Sequence, residues 1–404
     1  MLTGSTDATA ITGGTTKLPV ITIIMAGMAA QSLIFSVPPP ALPHMALVLG
    51  ARGATVAQLL FVLPSLGLML AGLVSGWLIS RFGLRRCLLG SFLVYGVTGS
   101  LPVVTINIFA LLSSRLLLGV ACAVLSTSCT TLLAQRYAGE ARARMLGYQS
   151  AAGSVTGVVA LILAGEITGL LGWRTPFWLY ALPALPLLLL AALTLREAPP
   201  AARAQAEKQG GVFTALRLLW PVYLAGCLLF TIPMASGGAL PFLLQQRGVT
   251  QALTQSLVIS AFAVFSATGA FLYGHVRARL GAWASFTLGV ALSGGGMLLI
   301  GAQSNLLLTA TGNGIAGLGL GFFVPHLWSV ATDALPANLR GRAVGLFNSA
   351  MFLGGFTSAF IVGALNSAFG RAGAFSVIGI LTLAFAVGLM FLRRNVIAGV
   401  PAEA

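Results

Sequence analysis

Three ionisable side chains stand inside long apolar stretches of this sequence: Arg115, Glu166 and His326. At the centre of a bilayer a charged side chain costs about 2.5 to 3.5 kcal/mol on insertion scales, so it needs a partner or a task. An arginine there could bind an anionic group or bias a proton carrier. It could equally pin its helix by bonding carbonyl oxygens. A carboxyl or imidazole group there could carry protons.

Both protonatable residues also have a purely structural interpretation. Glu166 lies seven residues before Trp173, about two helical turns from the outer end of its helix, so it could be a solvated residue at the rim of a cavity. His326 could be a packing residue. A further set of neutral polar and aromatic residues could form an apolar pocket with few polar groups. Its members are Gln31, Ser32, Asn313, Asn348, Phe35, Phe230, Phe262 and Phe352.

The composition indicates that lipid, not water, is the main solvent of the chain. Of 404 residues, 57% are hydrophobic and 7% are charged, whereas about 25% charged residues are usual in soluble domains. A membrane helix takes roughly 20 apolar residues. Twelve such stretches predict an all-α integral membrane protein with twelve transmembrane helices. They cover residues 19–42, 55–79, 87–106, 108–131, 146–170, 175–195, 218–241, 251–273, 282–302, 306–331, 344–366 and 372–392.

Two short signatures recur at an offset of 198 residues, about half of the chain. The first is Arg-x-Arg-x-x-Gly, and the second has two glycines with an arginine between them. Their residues are Arg142, Arg144 and Gly147; Arg340, Arg342 and Gly345; Gly76, Arg81 and Gly83; and Gly274, Arg279 and Gly281. Two signatures with one offset predict a duplicated chain with two pseudo-symmetric halves of six helices. A duplicated helical membrane protein is typical of secondary transporters.

The basic residues predict the orientation of the chain. When loops are assigned alternately to two sides, 17 Lys and Arg residues fall on one side and 4 on the other. The richer side is expected to be the cytoplasm, which then holds both termini. The net charge of +15 is therefore a topological signal and does not indicate nucleic-acid binding. The predicted organisation is a tail at 1–18, a first half at 19–195, a linker at 196–217, a second half at 218–392 and a tail at 393–404.

Four segments resemble motifs of the major facilitator superfamily. Gly76–Arg86 is similar to the family's loop between helices 2 and 3, written G-x-L-a-D-r-x-G-r-[kr]. Arg115–Gly119 is similar to the R-x-x-x-G core of proton-coupled members, and Gly172–Phe177 to the G-W-R-x-x-F joint between helices 5 and 6. Pro40–Met45 is similar to the drug:proton antiporter branch.

Two departures from these motifs weaken the expectation of antiport. The loop motif has Ser80 where the family has aspartate. Helix 5 offers Gly147, Gly153 and Gly157 but no Gly-Pro pair, so the antiporter signature G-x-x-x-G-P is missing.

The resemblance implies a fold in which rocking of the two halves exposes a central cavity to either side in turn. The leading hypothesis is proton-coupled export of a small organic or amphipathic molecule. The rival is symport or facilitated uptake of a small organic anion, for which Arg115 would supply the charge. The basic loops would act in the conformational change, with Arg81, Arg85 and Arg86 in the first motif. The paired arginines of the repeated signature would latch the halves by bonding helix ends or lipid phosphates.

Other classes of function receive little support from the sequence. It contains no GxxxxGK[ST], HExxH or GxSxG motif, so we expect no cofactor and no enzyme activity. The four cysteines form no CxxC pair, so no metal site is predicted. A sensor that does not transport is a further alternative, although the linker is short for a signalling domain. We expect a monomer in a bacterial-type inner membrane, with lipids, protons and a small molecule as partners.

Overall fold

The computed structural model describes residues 18–50, 52–195, 212–333 and 337–391. These residues form fourteen α-helices and no strand. The helices are α1 (Leu18–Ser36), α2 (Leu42–Val48), α3 (Gly53–Phe82), α4 (Leu84–Ser100), α5 (Ile108–Arg136), α6 (Gly139–Leu171), α7 (Trp178–Thr194), α8 (Val212–Leu229), α9 (Thr231–Gly238), α10 (Leu240–Gln246), α11 (Ala252–Leu280), α12 (Ala282–Ala302), α13 (Leu306–Asp333) and α14 (Ala337–Phe391). The first predicted tail up to residue 17, the second tail and most of the linker lie outside the described residues.

Twelve membrane crossings follow from these helices. Eleven stretches of the described chain are long and apolar enough to span a bilayer. The last of them lies in α14, which has 55 residues and is interrupted at Gly370, where φ is 72°. Because that backbone angle lies in the left-handed region, the helix turns there and crosses twice. The predicted twelve-helix architecture is confirmed.

The duplication is visible in the backbone itself. Three pairs of glycines with positive φ are separated by 198 residues, as are two asparagines whose side chains accept hydrogen bonds at the start of α5 and of α13. The pairs are Gly50 and Gly248, Gly83 and Gly281, Gly172 and Gly370, and Asn107 and Asn305. Each equivalent pair ends or begins a helix at the same place in its half.

Helix packing repeats with the same offset. A side-chain carbon on Gly119 of α5 would collide with the carbonyl oxygen of Pro64 in α3. A carbon on Gly317 of α13 would collide in the same way with the carbonyl oxygen of Phe262 in α11. Both pairs of helices can approach this closely because glycine has no side chain. Two hydrophobic cores result, each built mainly by the helices of one half.

Candidate functional site

Two aromatic pairs lie inside the bundle, and each has at least one half-buried ring. In the first half, Phe35 of α1 meets Phe61 of α3 edge to face, with ring centroids 6.1 Å apart. In the second half, Phe230, between α8 and α9, meets Phe352 of α14 in the same geometry and at the same 6.1 Å. Edge-to-face contact is a preferred arrangement of aromatic rings. Phe61 is only 1% exposed, so it is the buried member of the pair and packs against the more exposed ring of Phe35.

The two pairs are neighbours across the halves. Gly355, three residues after Phe352 on α14, lies against both halves. A side-chain carbon on it would be 3.0 Å from the Oγ atom of Ser65 and 3.3 Å from the ring of Phe230. Ser65 is one helical turn from Phe61 on α3. Phe35, Phe230 and Phe352, which we call the aromatic site, therefore lie where the two halves meet.

Polar groups at this site are few and uncharged. Gln31 precedes Phe35 by four residues on α1, and Asn348 precedes Phe352 by four residues on α14, so each carboxamide shares a helix face with its ring. Both residues are half-buried. The hydroxyl of Ser65 is buried and has no hydrogen-bond partner. The arrangement suits an apolar or aromatic molecule that carries one or two hydrogen-bonding groups.

The described contacts of Arg115 are with the end of α4 and with the rings around the start of α7, not with the aromatic site. Arg115 is the eighth residue of α5, near the end of the first half that is poor in basic residues, and it is 2% exposed. Its Nη2 atom donates to the carbonyl oxygens of Thr98 at 3.1 Å and Gly99 at 2.7 Å, at the end of α4. The guanidinium also lies over the rings of Phe177, at 5.3 Å, and Tyr180, at 5.6 Å.

Arg115 nevertheless keeps unused hydrogen-bonding capacity. Its Nε and Nη1 atoms are buried without a partner. Together with Phe177 and Leu111, it lines a cavity of about 10 Å³, which is room for about one water molecule. The helix C-terminus and the ring faces stabilise its charge in part, since both present negative potential. A role of Arg115 in binding substrate or in proton coupling stays a prediction.

Asn313 stands at the position equivalent to Arg115, 198 residues later. It is fully buried, its Oδ1 atom accepts from Ser236 at 2.8 Å, and its Nδ2 atom donates to the carbonyl oxygen of Val258 at 3.0 Å. Its amide therefore joins α9, α11 and α13. Both halves place a polar residue at this point of helix packing, but only the first half has a charge there.

The two protonatable candidates lie elsewhere. The ring of His326 is 3% exposed and stacks on Phe286 of α12, with centroids 4.8 Å apart and no hydrogen-bond partner for either nitrogen. Glu166 is exposed, five residues before the end of α6. The structure does not bring either residue to the aromatic site. Phe262 is buried in the second core.

The loop residues occupy helix ends. Arg85 donates to the carbonyl oxygen of Ala192 at 3.0 Å, near the end of α7, which is a favourable contact between a cation and a helix C-terminus within the first half. Ser80, in place of the usual aspartate, donates to the carbonyl oxygen of its own helix neighbour Trp77 at 2.8 Å. Other members of the motifs are exposed, namely Gly76, Arg81, Arg86, Arg142, Arg144, Gly274 and Arg279. The side chains of Arg340 and Arg342 lie outside the described part of the chain.

The sequence analysis did not identify two arginines, on the side that is poor in basic residues, as structural residues. Arg247 donates to the carbonyl oxygen of Ile300 at 2.8 Å and to Thr309 at 3.0 Å, and Arg371 donates to the carbonyl oxygen of Phe242 at 2.9 Å. Partial burial lowers the pKa of the Arg247 guanidinium from its usual value. Their presence on the side that is poor in basic residues was the available signal.

Comparison with known proteins agrees with this geometry. The model of the Major Facilitator Superfamily matches residues 24–359, with a second match over 222–402. The chain belongs to this superfamily. It is a multi-pass membrane transporter, and the predicted fold and family are confirmed.

Relatives of this chain include two resistance proteins and a transporter named for an organic compound. A methylenomycin A resistance protein of Bacillus subtilis (strain 168) is 29% identical over 40% of this chain and 35% of its own length. A multidrug resistance protein B homolog of Mycobacterium tuberculosis (strain ATCC 25618 / H37Rv) is 27% identical over 53% of this chain and 38% of its own length. A 3-(3-hydroxy-phenyl)propionate transporter of Escherichia coli (strain K12) is 27% identical over 60% and 64%. The chain spans less than two thirds of each of these relatives.

Solved structures show the same fold over nearly the whole chain. A D-xylose-proton symporter aligns with a TM-score of 0.75 and 14% identity, covering 95% of this chain and 99% of that one. A POT family transporter in complex with 5-aminolevulinic acid aligns with a TM-score of 0.76 and 12% identity, covering 94% and 96%. At this identity the likeness concerns the fold alone.

Proposed function

We propose that this transporter exports a small, uncharged and largely apolar organic molecule in exchange for protons. The aromatic site carries the proposal, because its rings and carboxamides meet at the seam between the halves. Described carboxylates lie away from it: Glu140 is in the first turn of α6, and Glu166 is near the end of the same helix. Burying a charged substrate there would leave the charge without a partner.

The rival function, uptake of an organic anion, has less support from the geometry. Arg115 was the charge that an anion would need, and it bonds the end of α4 instead of the seam. The relatives' names favour neither direction alone, since they include two resistance proteins and the transporter of a phenylpropionate. The aromatic body named for that last relative suits the rings of the aromatic site, whereas its carboxylate suits the rival function.

Glu166 is our candidate for the proton carrier. Everted vesicles that contain the transporter should accumulate an apolar aromatic substrate when a proton gradient is imposed, and a protonophore should abolish the accumulation. Glu166→Gln, which cannot release a proton, should remove accumulation while exchange of labelled for unlabelled substrate continues. Glu140→Gln is the matched control, because it changes an exposed carboxylate at the other end of α6. Accumulation that survives both the protonophore and Glu166→Gln would contradict proton coupling.

We further propose that the basic side of the bundle faces the cytoplasm of a bacterial-type inner membrane. A cysteine introduced at Gln205, in the predicted linker, should then react with an impermeant maleimide only after the inner membrane is permeabilised. A cysteine at Arg52, on the side poor in basic residues, is the control and should react in intact cells. The reverse pattern of labelling would overturn the orientation.

A further inference from the structure

At the seam, where the two halves meet, one aromatic ring packs against two consecutive glycines, which form a notch in the surface of their helix. A side-chain carbon on Gly237 would be 2.5 Å from the Cζ atom of Phe61, and one on Gly238 would be 2.8 Å from its Cδ1 atom. Phe61 belongs to α3 in the first half, and both glycines belong to α9 in the second half. The ring fits only because neither glycine carries a side chain.

A second close contact lies between α6 and α11. A side-chain carbon on Gly165 of α6 would collide with the hydroxyl of Ser256 on α11 and would be 2.9 Å from the carbonyl oxygen of Ala252. This contact also joins the first half to the second half. Its partner atoms include backbone, which cannot rotate away.

Both contacts lie at the same end of the bundle. Phe61 is eight residues, or about 12 Å along the helix axis, from the start of α3 at Gly53. Gly165 is six residues before the end of α6 at Leu171, and Ser256 is four residues after the start of α11 at Ala252. The short helices α2 and α10 also touch each other at this end. This is the end poor in basic residues, which we call the outer end.

In the part of the chain that the structure describes, the hydrogen bonds of four buried or partly buried polar residues stay within one half. Those of Arg115, Asn313, Arg247 and Arg371 each join helices within one half. The two glycine contacts are instead van der Waals contacts, which are lost without leaving an unpaired polar group. Such a seam can close tightly and still reopen at low cost.

We infer that Phe61, Gly237, Gly238 and Gly165 are positioning residues that set how often the outer end is open. The fit of the Phe61 ring into its notch and of α11 against Gly165 determines the free energy of the closed state. A side chain added at Gly237, Gly238 or Gly165 therefore shifts the population toward the outward-open state. This inference rests on the proposed transport function only for its biological meaning.

The test measures access from outside and requires no substrate. Gln31→Cys serves as reporter in a chain whose four cysteines are replaced by alanine. In intact cells, Gly237→Ala should raise the rate at which an impermeant maleimide labels this reporter by about tenfold, which is the population shift that a typical overpacking penalty produces. Gly165→Ala should raise it similarly. Gly72→Ala is the matched control, because a carbon there has no neighbour within 4 Å, and labelling should not change.

Rescue separates the notch from a general loss of structure. In the double variant Gly237→Ala with Phe61→Leu, the shorter side chain leaves room for the added methyl group. Labelling of the double variant should be within about twofold of that of Phe61→Leu alone, because the added methyl group then meets no ring. Phe61→Leu should not rescue Gly165→Ala, since those contacts share no atoms. Unchanged labelling in Gly237→Ala, or equal rescue of both glycine variants, would overturn the inference while leaving the proposed substrate and coupling untouched.

Discussion

Replacing Arg115 with alanine is expected to lower the maximal rate of transport by about tenfold or more and to destabilise the protein by about 2 to 3 kcal/mol, with little change in KM. The variant loses two hydrogen bonds from a charged group to the end of α4 and two ring contacts near the start of α7. Removing a buried charge offsets part of that loss. The outer ends of α4, α5 and α7 then lose the side chain that contacts all three, so we expect the first half to move less as a rigid body.

Two further variants identify what the arginine does. Arg115→Lys keeps the charge but not the planar fork, so its rate and melting temperature should fall between those of the wild type and alanine variants. Asn313→Ala removes the equivalent neutral tie in the second half and should lower the melting temperature without shifting the pH profile of transport. If Arg115→Ala instead raises KM and leaves the melting temperature unchanged, the residue binds substrate. A shifted pH profile in Arg115→Ala alone would assign it to proton coupling.

The sequence could predict the fold because the length of each apolar run and the 198-residue repeat can both be read directly from the order of residues. Twelve runs were long enough to cross a bilayer, and equivalent glycines such as Gly172 and Gly370 share one backbone conformation. Helix ends were harder to predict. The run predicted at 146–170 begins seven residues after the start of α6 at Gly139, because the first turns of that helix carry exposed charges, among them Arg142 and Arg144. Because these exposed turns are polar, they extend the helix beyond the apolar run from which its start was predicted.

The site could be predicted only in part, because residue type does not determine which neighbour a helix face meets. Gln31, Phe35, Phe230, Asn348 and Phe352 were predicted to form an apolar pocket with few polar groups, and their role in binding stays a prediction. The pairing of the rings across α1, α3 and α14 depends on tertiary packing. The depth of Arg115 was available from counting, since it follows the start of α5 by seven residues. Its partners were not available, because carbonyl oxygens of another helix leave no mark on the sequence.

The aromatic site should be the main determinant of affinity. Phe352→Ala and Phe35→Ala are each expected to raise KM for an apolar aromatic substrate by about tenfold, because a ring in contact with substrate contributes roughly 1.5 kcal/mol or more. Tyrosine at either position keeps the ring and should raise KM far less. Phe271→Ala is the control, since that ring is 78% exposed on the outside of α11, and its KM should equal that of the wild type. Equal effects of Phe352→Ala and Phe271→Ala would remove the aromatic site from substrate binding.

The most direct test of the uncharged-substrate claim compares two matched compounds in proteoliposomes that contain the purified chain and an imposed proton gradient. The compounds share an aromatic body, and one carries a carboxamide where the other carries a carboxylate. The account predicts proton-driven accumulation of the carboxamide and at least about tenfold weaker transport of the carboxylate, since the site offers no partner for a buried charge. Preferred transport of the carboxylate, lost in Arg115→Gln, would contradict the account and establish an organic anion as the substrate.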